Sequence, residues 1–180
     1  MKVIGFCGLP GSGKTTALIA VSNLGIIITM GDVVRDEAKK RNSDEYGENL
    51  GEIARDMRKQ HGPGIIAHKC VEIIKSLEEE VIFVDGVRSV EEVKVFRKYW
   101  KFPLVSIEMD ENLRITRLKE RARVDDSKEI DEIKRRDKRE SEFGLNAVIE
   151  IADYRITNNS SKNALEKETL KLVKKIIRDY

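Results

Sequence analysis

A glycine-rich segment near the amino end constrains this chain more than any other feature. Residues 8–15 read GLPGSGKT and fit the pattern G-x-x-x-x-G-K-[ST], between an apolar run and a stretch of helical composition. Glycines at these places let the backbone curl so that successive N–H groups point at phosphate oxygens, and the next helix adds the positive end of its dipole. We expect Lys14 to reach the β- and γ-phosphates of a triphosphate, while the Thr15 hydroxyl binds Mg²⁺.

The same segment predicts which residues surround the nucleotide, because a phosphate nest is built from consecutive main-chain groups. The alternative interpretation is a glycine-rich turn with an incidental lysine. The expected nucleotide-binding residues of the loop are Gly8, Leu9, Pro10, Gly11, Ser12, Gly13, Lys14, Thr15 and Thr16.

An alternation of apolar runs and helical segments continues beyond this loop. Continuous Val, Ile and Phe are typical of strands that are covered on both faces. The predicted strands are Val3–Cys7, Gly25–Met30, Val81–Val84, Leu104–Met109 and Tyr154–Thr157. The predicted helices are Thr15–Asn23, Asp32–Arg41, Glu48–Gln60, Ile65–Leu77, Val90–Tyr99, Glu111–Ala122, Ile130–Ala152 and Lys162–Asp179. Strands that alternate with helices form parallel sheets, so the sequence predicts an α/β fold, a three-layer sandwich around a five-stranded parallel sheet.

The length of 180 residues corresponds to one domain. Between the second and third strands, residues 42–78 carry two helical segments and no strand signal, which predicts a helical insertion that binds the second substrate. Residues 121–128 are polar and charged and predict a short lid. The core is then expected to comprise residues 1–41, 79–120 and 129–180.

The composition excludes several classes of protein. The net charge is only +2 and the two signs are interleaved, so bulk charge gives no support for nucleic-acid binding. The longest apolar run, around Ile26–Met30, is far shorter than the ~20 residues that cross a bilayer. This argues against a membrane partner, and because the residues after Met1 show no cleavage site of the signal-peptide kind, we expect a cytoplasmic protein. Cys7 and Cys70 have no neighbouring ligand at metal-binding spacing and are predicted to be buried thiols.

The residues at the end of the third predicted strand indicate which class of nucleotide-binding protein this is. It ends in Asp85, which places a carboxylate near the phosphate-bound metal. Gly86 follows instead of the glutamate that activates water in motor ATPases, and the chain has no NKxD-like segment of the kind that reads guanine in small GTPases. These absences favour a phosphotransferase that excludes water from its site.

Acids and arginines follow the second and third strands. Asp32 and Arg35 follow the second predicted strand, and Asp85 and Arg88 follow the third. All four therefore belong to the edge of the sheet where ligands bind in open α/β folds. Arg35 and Arg88 can each hold a phosphate by two hydrogen bonds, and we expect them to bind the acceptor together with Asp32. A hydroxyl acceptor would use the Asp32 carboxylate as a base, whereas an ionised phosphate needs none, and the sequence leaves both open. The alternative for each arginine is a surface ion pair.

Two further arginines are candidates for catalysis. Arg117 and Arg121 lie four residues apart on one predicted helix and therefore share a face. Guanidinium groups in this position would stabilise the charge that spreads over the transferring phosphoryl group. With Lys14, Asp32 and Arg88 they complete the expected catalytic set.

Several segments resemble the nucleoside monophosphate kinase branch of P-loop proteins. Residues 8–14 are similar to the adenylate kinase loop, residues 31–35 (GDVVR) to its GDxxR segment, and residues 85–88 (DGVR) to its DGxPR segment with one residue missing. Arg117 and Arg121 resemble the pair that brackets ATP in that family. Residues 152–160 look more like dephospho-CoA kinases, whose ADxxIxN segment passes near the adenine, and this likeness implies that Asn159 contacts the nucleotide.

The resemblance spans nearly the whole chain and points to archaeal-type proteins related to adenylate kinase or dephospho-CoA kinase. It implies ATP as donor, Mg²⁺ as cofactor and a small nucleotide-like acceptor. AMP is not specifically implied, because the segment after Arg88 lacks the glutamine with which adenylate kinases read it. The sequence thus predicts a P-loop kinase that moves the γ-phosphoryl of ATP to a phosphate or hydroxyl. The alternative is a nucleotide-gated ATPase or binding protein that acts in RNA or ribosome assembly.

Overall fold

The computed structural model describes residues 1–41, 49–121 and 130–180, without the side chains of residues 49 and 121. The strands are β1 (Lys2–Cys7), β2 (Ile26–Thr29), β3 (Val81–Asp85), β4 (Leu104–Glu108) and β5 (Tyr154–Thr157). The helices are α1 (Lys14–Val21), α2 (Met30–Lys40), α3 (Asn49–His61), α4 (Ile65–Lys75), α5 (Val90–Arg97), α6 (Glu111–Arg121), α7 (Ile130–Glu142), α8 (Leu145–Glu150) and α9 (Lys162–Asp179).

The five strands form one sheet in the order β2-β3-β1-β4-β5, and all four pairings are parallel. Strand β1 lies in the centre, with β3 on one side and β4 on the other. Phe6 is in register with Asp85 on β3, and Cys7 is in register with Ser106 on β4. The carboxyl ends of these strands therefore meet at one edge, where the phosphate loop leaves β1.

Two apolar cores cover the two faces of the sheet. Alternate residues of β1 point to opposite sides, so that Val3 and Cys7 belong to one core and Ile4 and Phe6 to the other. The first core is completed mainly by α2, α3, α4, α5 and α8, and the second by α1 and α9. The predicted three-layer α/β fold with a five-stranded parallel sheet is confirmed.

Phe102 makes a close packing contact with Gly5 of the central strand β1. Phe102 has a backbone φ of +49°, is fully buried and stacks on Phe96 with ring centroids 4.5 Å apart. Its ring fills the space above Gly5, where a Cβ atom would lie 2.5 Å from the ring edge. Gly5 is thus required by packing against an aromatic ring that is distant in sequence.

The structure corrects one predicted helix. The stretch Ile130–Ala152 is two helices, α7 and α8, which are separated at Gly144, where φ is +103°. This left-handed backbone ends the helical path and is readily adopted only by glycine. Helix α2 also begins directly after β2, two residues before the predicted start, which places Asp32 in its first turn.

The predicted lid lies outside the described residues from residue 122 to 128. The predicted insertion is described only in part, since residues 42–48 also lie outside the described residues. Its helices α3 and α4 contribute Met57 and Ile66 to the same core as α2 and α5. The division into core, insertion and lid remains a prediction. In the described ranges, no helix has the length and apolar character needed to span a membrane.

Candidate nucleotide-binding site

The loop between β1 and α1 has the backbone geometry of a phosphate nest. Gly8, Gly11 and Gly13 have φ values of 140°, 82° and 107°. Gly13 lies at the start of α1, and a Cβ atom there would overlap the side-chain amide of Asn158. The loop therefore needs glycine at this position both for its backbone conformation and for the close approach of a neighbouring segment.

The ammonium group of Lys14 is held by the loop itself. Its Nζ donates to the carbonyl oxygens of Gly8 at 2.7 Å and Leu9 at 3.1 Å. Burial lowers the pKa of Lys14, and the nearby Asp85 carboxylate opposes that shift. A polyphosphate that enters the nest would offer this ammonium stronger acceptors than two neutral carbonyls.

Asp85 ends β3 beside the phosphate loop. Its Oδ1 is buried and has no hydrogen-bond partner within the described part of the chain. Burial raises the pKa of Asp85, while Lys14 and Arg88 act in the opposite direction. An unpartnered buried oxygen of this kind is a suitable ligand for a hydrated cation or its bound water.

The donor atoms fit Mg²⁺. Thr15 and Asp85 line the same cavity and offer oxygen, which Mg²⁺ prefers. Across the described ranges no three His, Cys, Asp or Glu residues form a metal-binding group. A cation with so few protein ligands takes its remaining ligands from phosphates and water, which is the usual mode of Mg²⁺ in nucleotide sites.

A cavity of ≈ 520 Å³ opens at the carboxyl edge of the sheet. It brings together residues that are far apart in sequence, from the phosphate loop to the segment after β5. The predicted site residues that line it are Gly8, Pro10, Gly11, Gly13, Lys14, Thr15, Thr16, Arg35, Asp85, Arg88 and Arg117.

Three predicted residues have other positions. Asp32 is not among the residues that line the cavity; its carboxylate is 64% exposed and accepts a hydrogen bond from Arg35. Leu9 packs against the apolar core, and Ser12 is almost completely buried within the loop. Leu9 and Ser12 therefore support the loop from the protein interior, while Asp32 orients Arg35.

Asn159 and Arg121 are the remaining predictions. Asn159 Oδ1 accepts the N–H of Asp110 at 2.9 Å, whereas the adjacent Asn158 lines the cavity and donates from Nδ2 to the Ser12 carbonyl at 2.9 Å. The ADxxIxN pattern, counted from Ala152, falls on Asn158, so the sequence did contain this signal. The side chain of Arg121 lies outside the described residues.

Arg88 and Arg117 are fixed by distant partners. Arg88 Nε contacts Glu140 Oε2 at 2.9 Å, and this glutamate is nearly buried in the cavity wall. Arg117 Nη2 donates to the Ser160 carbonyl at 2.9 Å, which joins α6 to the segment after β5. Glu140 was missed from sequence, because nothing in α7 marks one acid among many as the partner of Arg88.

The loop that carries Arg88 is anchored by a second buried acid. Glu92 is fully buried and accepts the backbone N–H groups of Arg88 at 2.8 Å and Ser89 at 3.2 Å. Arg58 from α3 donates to the same carboxylate at 2.7 Å. The capping box at Ser89 and Glu92 thus starts α5 and fixes the backbone at Arg88. The [ST]-x-x-E spacing is a local signal that could have predicted it.

Comparisons with known proteins agree with this architecture. A family model described as an AAA domain, AAA_18, matches residues 4–143. The UPF0200/UPF0201 protein of Archaeoglobus fulgidus is 43% identical over 166 residues, which cover 89% of this chain and about half (51%) of that protein. The UPF0200 protein of Methanosarcina mazei is 36% identical over 183 residues, with 100% of this chain and 96% of that protein covered.

Solved structures with this fold include two kinases. Shikimate kinase from Acinetobacter baumannii in complex with shikimate has a TM-score of 0.61 at 12% identity, over 99% of this chain and 94% of that chain. Shikimate kinase from Aquifex aeolicus has a TM-score of 0.54 at 18% identity, over 96% of each chain. At these identities the likeness concerns the fold, and it confirms the predicted P-loop kinase architecture.

Proposed function

This chain belongs to the AAA_18 family of AAA domains and to the UPF0200 proteins, and from that premise we propose that it is a Mg²⁺-dependent ATP phosphotransferase. It moves the γ-phosphoryl group of ATP to a small, nucleotide-like acceptor. The P-loop architecture supports nucleotide binding, and the kinase fold of the neighbours supports transfer to a second substrate.

One observation carries this proposal. The cavity that holds the phosphate loop is also lined by Arg35, Arg88 and Arg117, which come from three different elements of the chain. A hydrolase that binds one nucleotide needs the nest, its lysine and a positioned water. Arg35 and Arg88 exceed what that chemistry needs, and two further guanidinium groups in the same cavity fit a second anionic group, as a phosphotransferase requires.

The donor side holds ATP through the loop. The main-chain amides of residues 8–15 and the Lys14 ammonium bind the phosphates, and Arg117 carries positive charge toward the transferring group. Thr15 and Asp85 would hold Mg²⁺. The ion would supply positive charge that stabilises the transferring phosphoryl group.

The acceptor side is built from Arg35 and Arg88. A guanidinium group binds a phosphate by two parallel hydrogen bonds, so two arginines can orient a phosphate-bearing acceptor in line with the donor. Asp32 keeps Arg35 in place through their ion pair. If the acceptor group is a hydroxyl, the Asp32 carboxylate would take its proton.

The test is a transfer assay. The protein is incubated with Mg²⁺ and ATP and, separately, with nucleoside monophosphates, dephospho-CoA or small alcohols, and both ADP and the phosphorylated acceptor are measured. We expect one acceptor class to be phosphorylated far faster than ATP is hydrolysed alone. Hydrolysis without transfer, accelerated by RNA, would instead support a nucleotide-gated protein of RNA or ribosome assembly.

A further inference from the structure

Arg114 is a buried arginine on α6 that contacts the phosphate loop from outside the cavity. Only 2% of its surface is exposed. Its Nη1 donates to the Pro10 carbonyl at 3.0 Å, and its two terminal nitrogens bind both carboxylate oxygens of Asp137 on α7, at 3.1 and 2.5 Å. One side chain therefore joins the phosphate loop to two helices.

The contact determines where an amide of the nest points. The Pro10–Gly11 peptide bond, like the others in the described ranges, is trans, so the carbonyl of Pro10 and the N–H of Gly11 point in opposite directions across one rigid plane. Because Arg114 draws the carbonyl toward α6, the Gly11 N–H is directed away from that helix. Gly11 lines the cavity, where we expect its amide to meet a phosphate oxygen.

A second contact of α6 limits movement of the same peptide. Leu118, one turn after Arg114, lies so close to Gly11 that a Cβ atom there would be 2.6 Å from its side chain. The Pro10–Gly11 peptide is thus held by a hydrogen bond on its carbonyl and by packing on its glycine. A peptide that could rotate would turn the carbonyl oxygen toward the phosphates and repel them.

We propose that Arg114 is a positioning residue for phosphoryl transfer, which orients the Gly11 amide toward the polyphosphate by holding the Pro10 carbonyl. This inference rests on the proposed function, since it assigns a role within the same site. Arg114 contacts no substrate in this role. Asp137 has a different task, because it compensates the buried charge and holds the guanidinium plane in its orientation.

The two tasks can be separated by substitution. In the double variant Arg114→Met/Asp137→Leu, apolar side chains replace the buried pair, and such replacements often preserve stability. The variant has no donor for the Pro10 carbonyl. We expect its thermal unfolding temperature to stay near that of the unmodified protein, while its affinity for Mg²⁺-ATP, measured by calorimetry, falls roughly 10- to 100-fold.

Two single variants provide further readouts. Asp137→Asn keeps an acceptor for Arg114 and the bond to Pro10, so it should lose stability but little affinity for Mg²⁺-ATP. Arg114→Lys keeps one donor and should restore part of the affinity. In turnover, the Arg114 variants should raise KM for ATP without raising KM for the acceptor, a split that a general loss of stability would not produce. Arg178→Met, on an exposed arginine of α9, is the matched control.

Clear outcomes contradict the proposal. Unchanged affinity in the double variant would overturn it, as would an equal loss of affinity in Asp137→Asn and in the double variant. Transfer failure by the unmodified protein that still binds Mg²⁺-ATP would refute the proposed function and leave the effect of Arg114 on binding intact. Absence of nucleotide binding by the unmodified protein would refute both.

Discussion

The two sides of the cavity are built by different means. The phosphate side is a continuous stretch of chain, whose donors are main-chain amides and whose lysine is held by carbonyls of the same loop. The proposed acceptor side consists of single arginines from separate segments, and each is held by a carboxylate. Arg35 pairs with Asp32, and Arg88 pairs with Glu140.

This difference separates generic from specific recognition. A nest of amides binds phosphates of any nucleoside triphosphate, because it reads only the polyphosphate. Paired side chains can be exchanged one at a time, so the acceptor side is where the substrate of one protein can differ from that of its relatives. The predictions below test whether the two sides are separable.

The largest effect is expected from Lys14→Met on the phosphate side. Loss of one preorganised charge at the transferring phosphoryl should lower turnover by roughly 10²- to 10³-fold. The fold should persist, because burial already disfavours the charged ammonium. Circular dichroism and ADP release measure the two properties, with Lys174→Met on α9 as the control. Turnover equal to that of the control would remove Lys14 from the mechanism.

A smaller effect is expected from Arg88→Lys on the acceptor side. Lysine keeps the charge but cannot form the two-bonded fork, so KM for the acceptor should rise about tenfold or more while KM for ATP stays constant. Arg97→Lys is a matched control, because Arg97 is similarly exposed and pairs with Asp153 at 2.8 Å away from the cavity. If both KM values rise together for Arg88→Lys, the two sides are not separable.

The pH dependence should distinguish the sides further. Burial raises the pKa of Asp85, so its carboxylate takes up a proton at a higher pH than an exposed aspartate does. Affinity for Mg²⁺-ATP should therefore be complete above that pKa and fall as the pH is lowered through it. Calorimetric titration over a pH series measures this. Asp85→Asn should bind more weakly and lack the acidic decline, and an unchanged decline would assign it to another group.

The smallest effect compares two glycines with similar backbones. Gly13 has φ +107° and faces Asn158, while Gly62 has φ +92° and no atom of the described residues lies within 4 Å of a Cβ added there. Gly62→Ala should cost about 1–2 kcal/mol, roughly 2–8 °C in Tm, from its left-handed backbone alone. Gly13→Ala should lower the Tm further, because it also crowds Asn158. Equal melting temperatures of the two variants would show that the Asn158 side chain moves aside without lowering stability.

Local patterns were sufficient for most of the fold. The strands end within one residue or so of their predicted limits, because continuous apolar runs identify buried strands directly. The exception was the helix split at Gly144, where helical composition on both sides concealed a left-handed residue. Amino-acid composition indicates whether a segment favours a helix, but the end of this helix is set by the backbone angle of the single residue Gly144.

The site was predictable only where its parts are contiguous. The phosphate loop follows from one motif, and it lines the cavity largely as expected. The pairing of Arg88 with Glu140 and of Arg114 with Asp137 joins segments far apart in the chain. In a sequence with 37% charged residues, many acids could serve each arginine, and only the packing of α7 against α6 and against the loop after β3 selects among them.

The contact between Gly5 and Phe102 has a consequence for evolution within the family. Gly5 has no side chain, and the Phe102 ring occupies the volume that a side chain at Gly5 would fill. A larger residue at Gly5 would clash with the ring, and a smaller residue at Phe102 would leave a void. We expect relatives with alanine or a larger residue at the first position to carry a smaller one at the second. Substitutions at these two places should therefore covary, although neither residue lines the cavity at the phosphate loop.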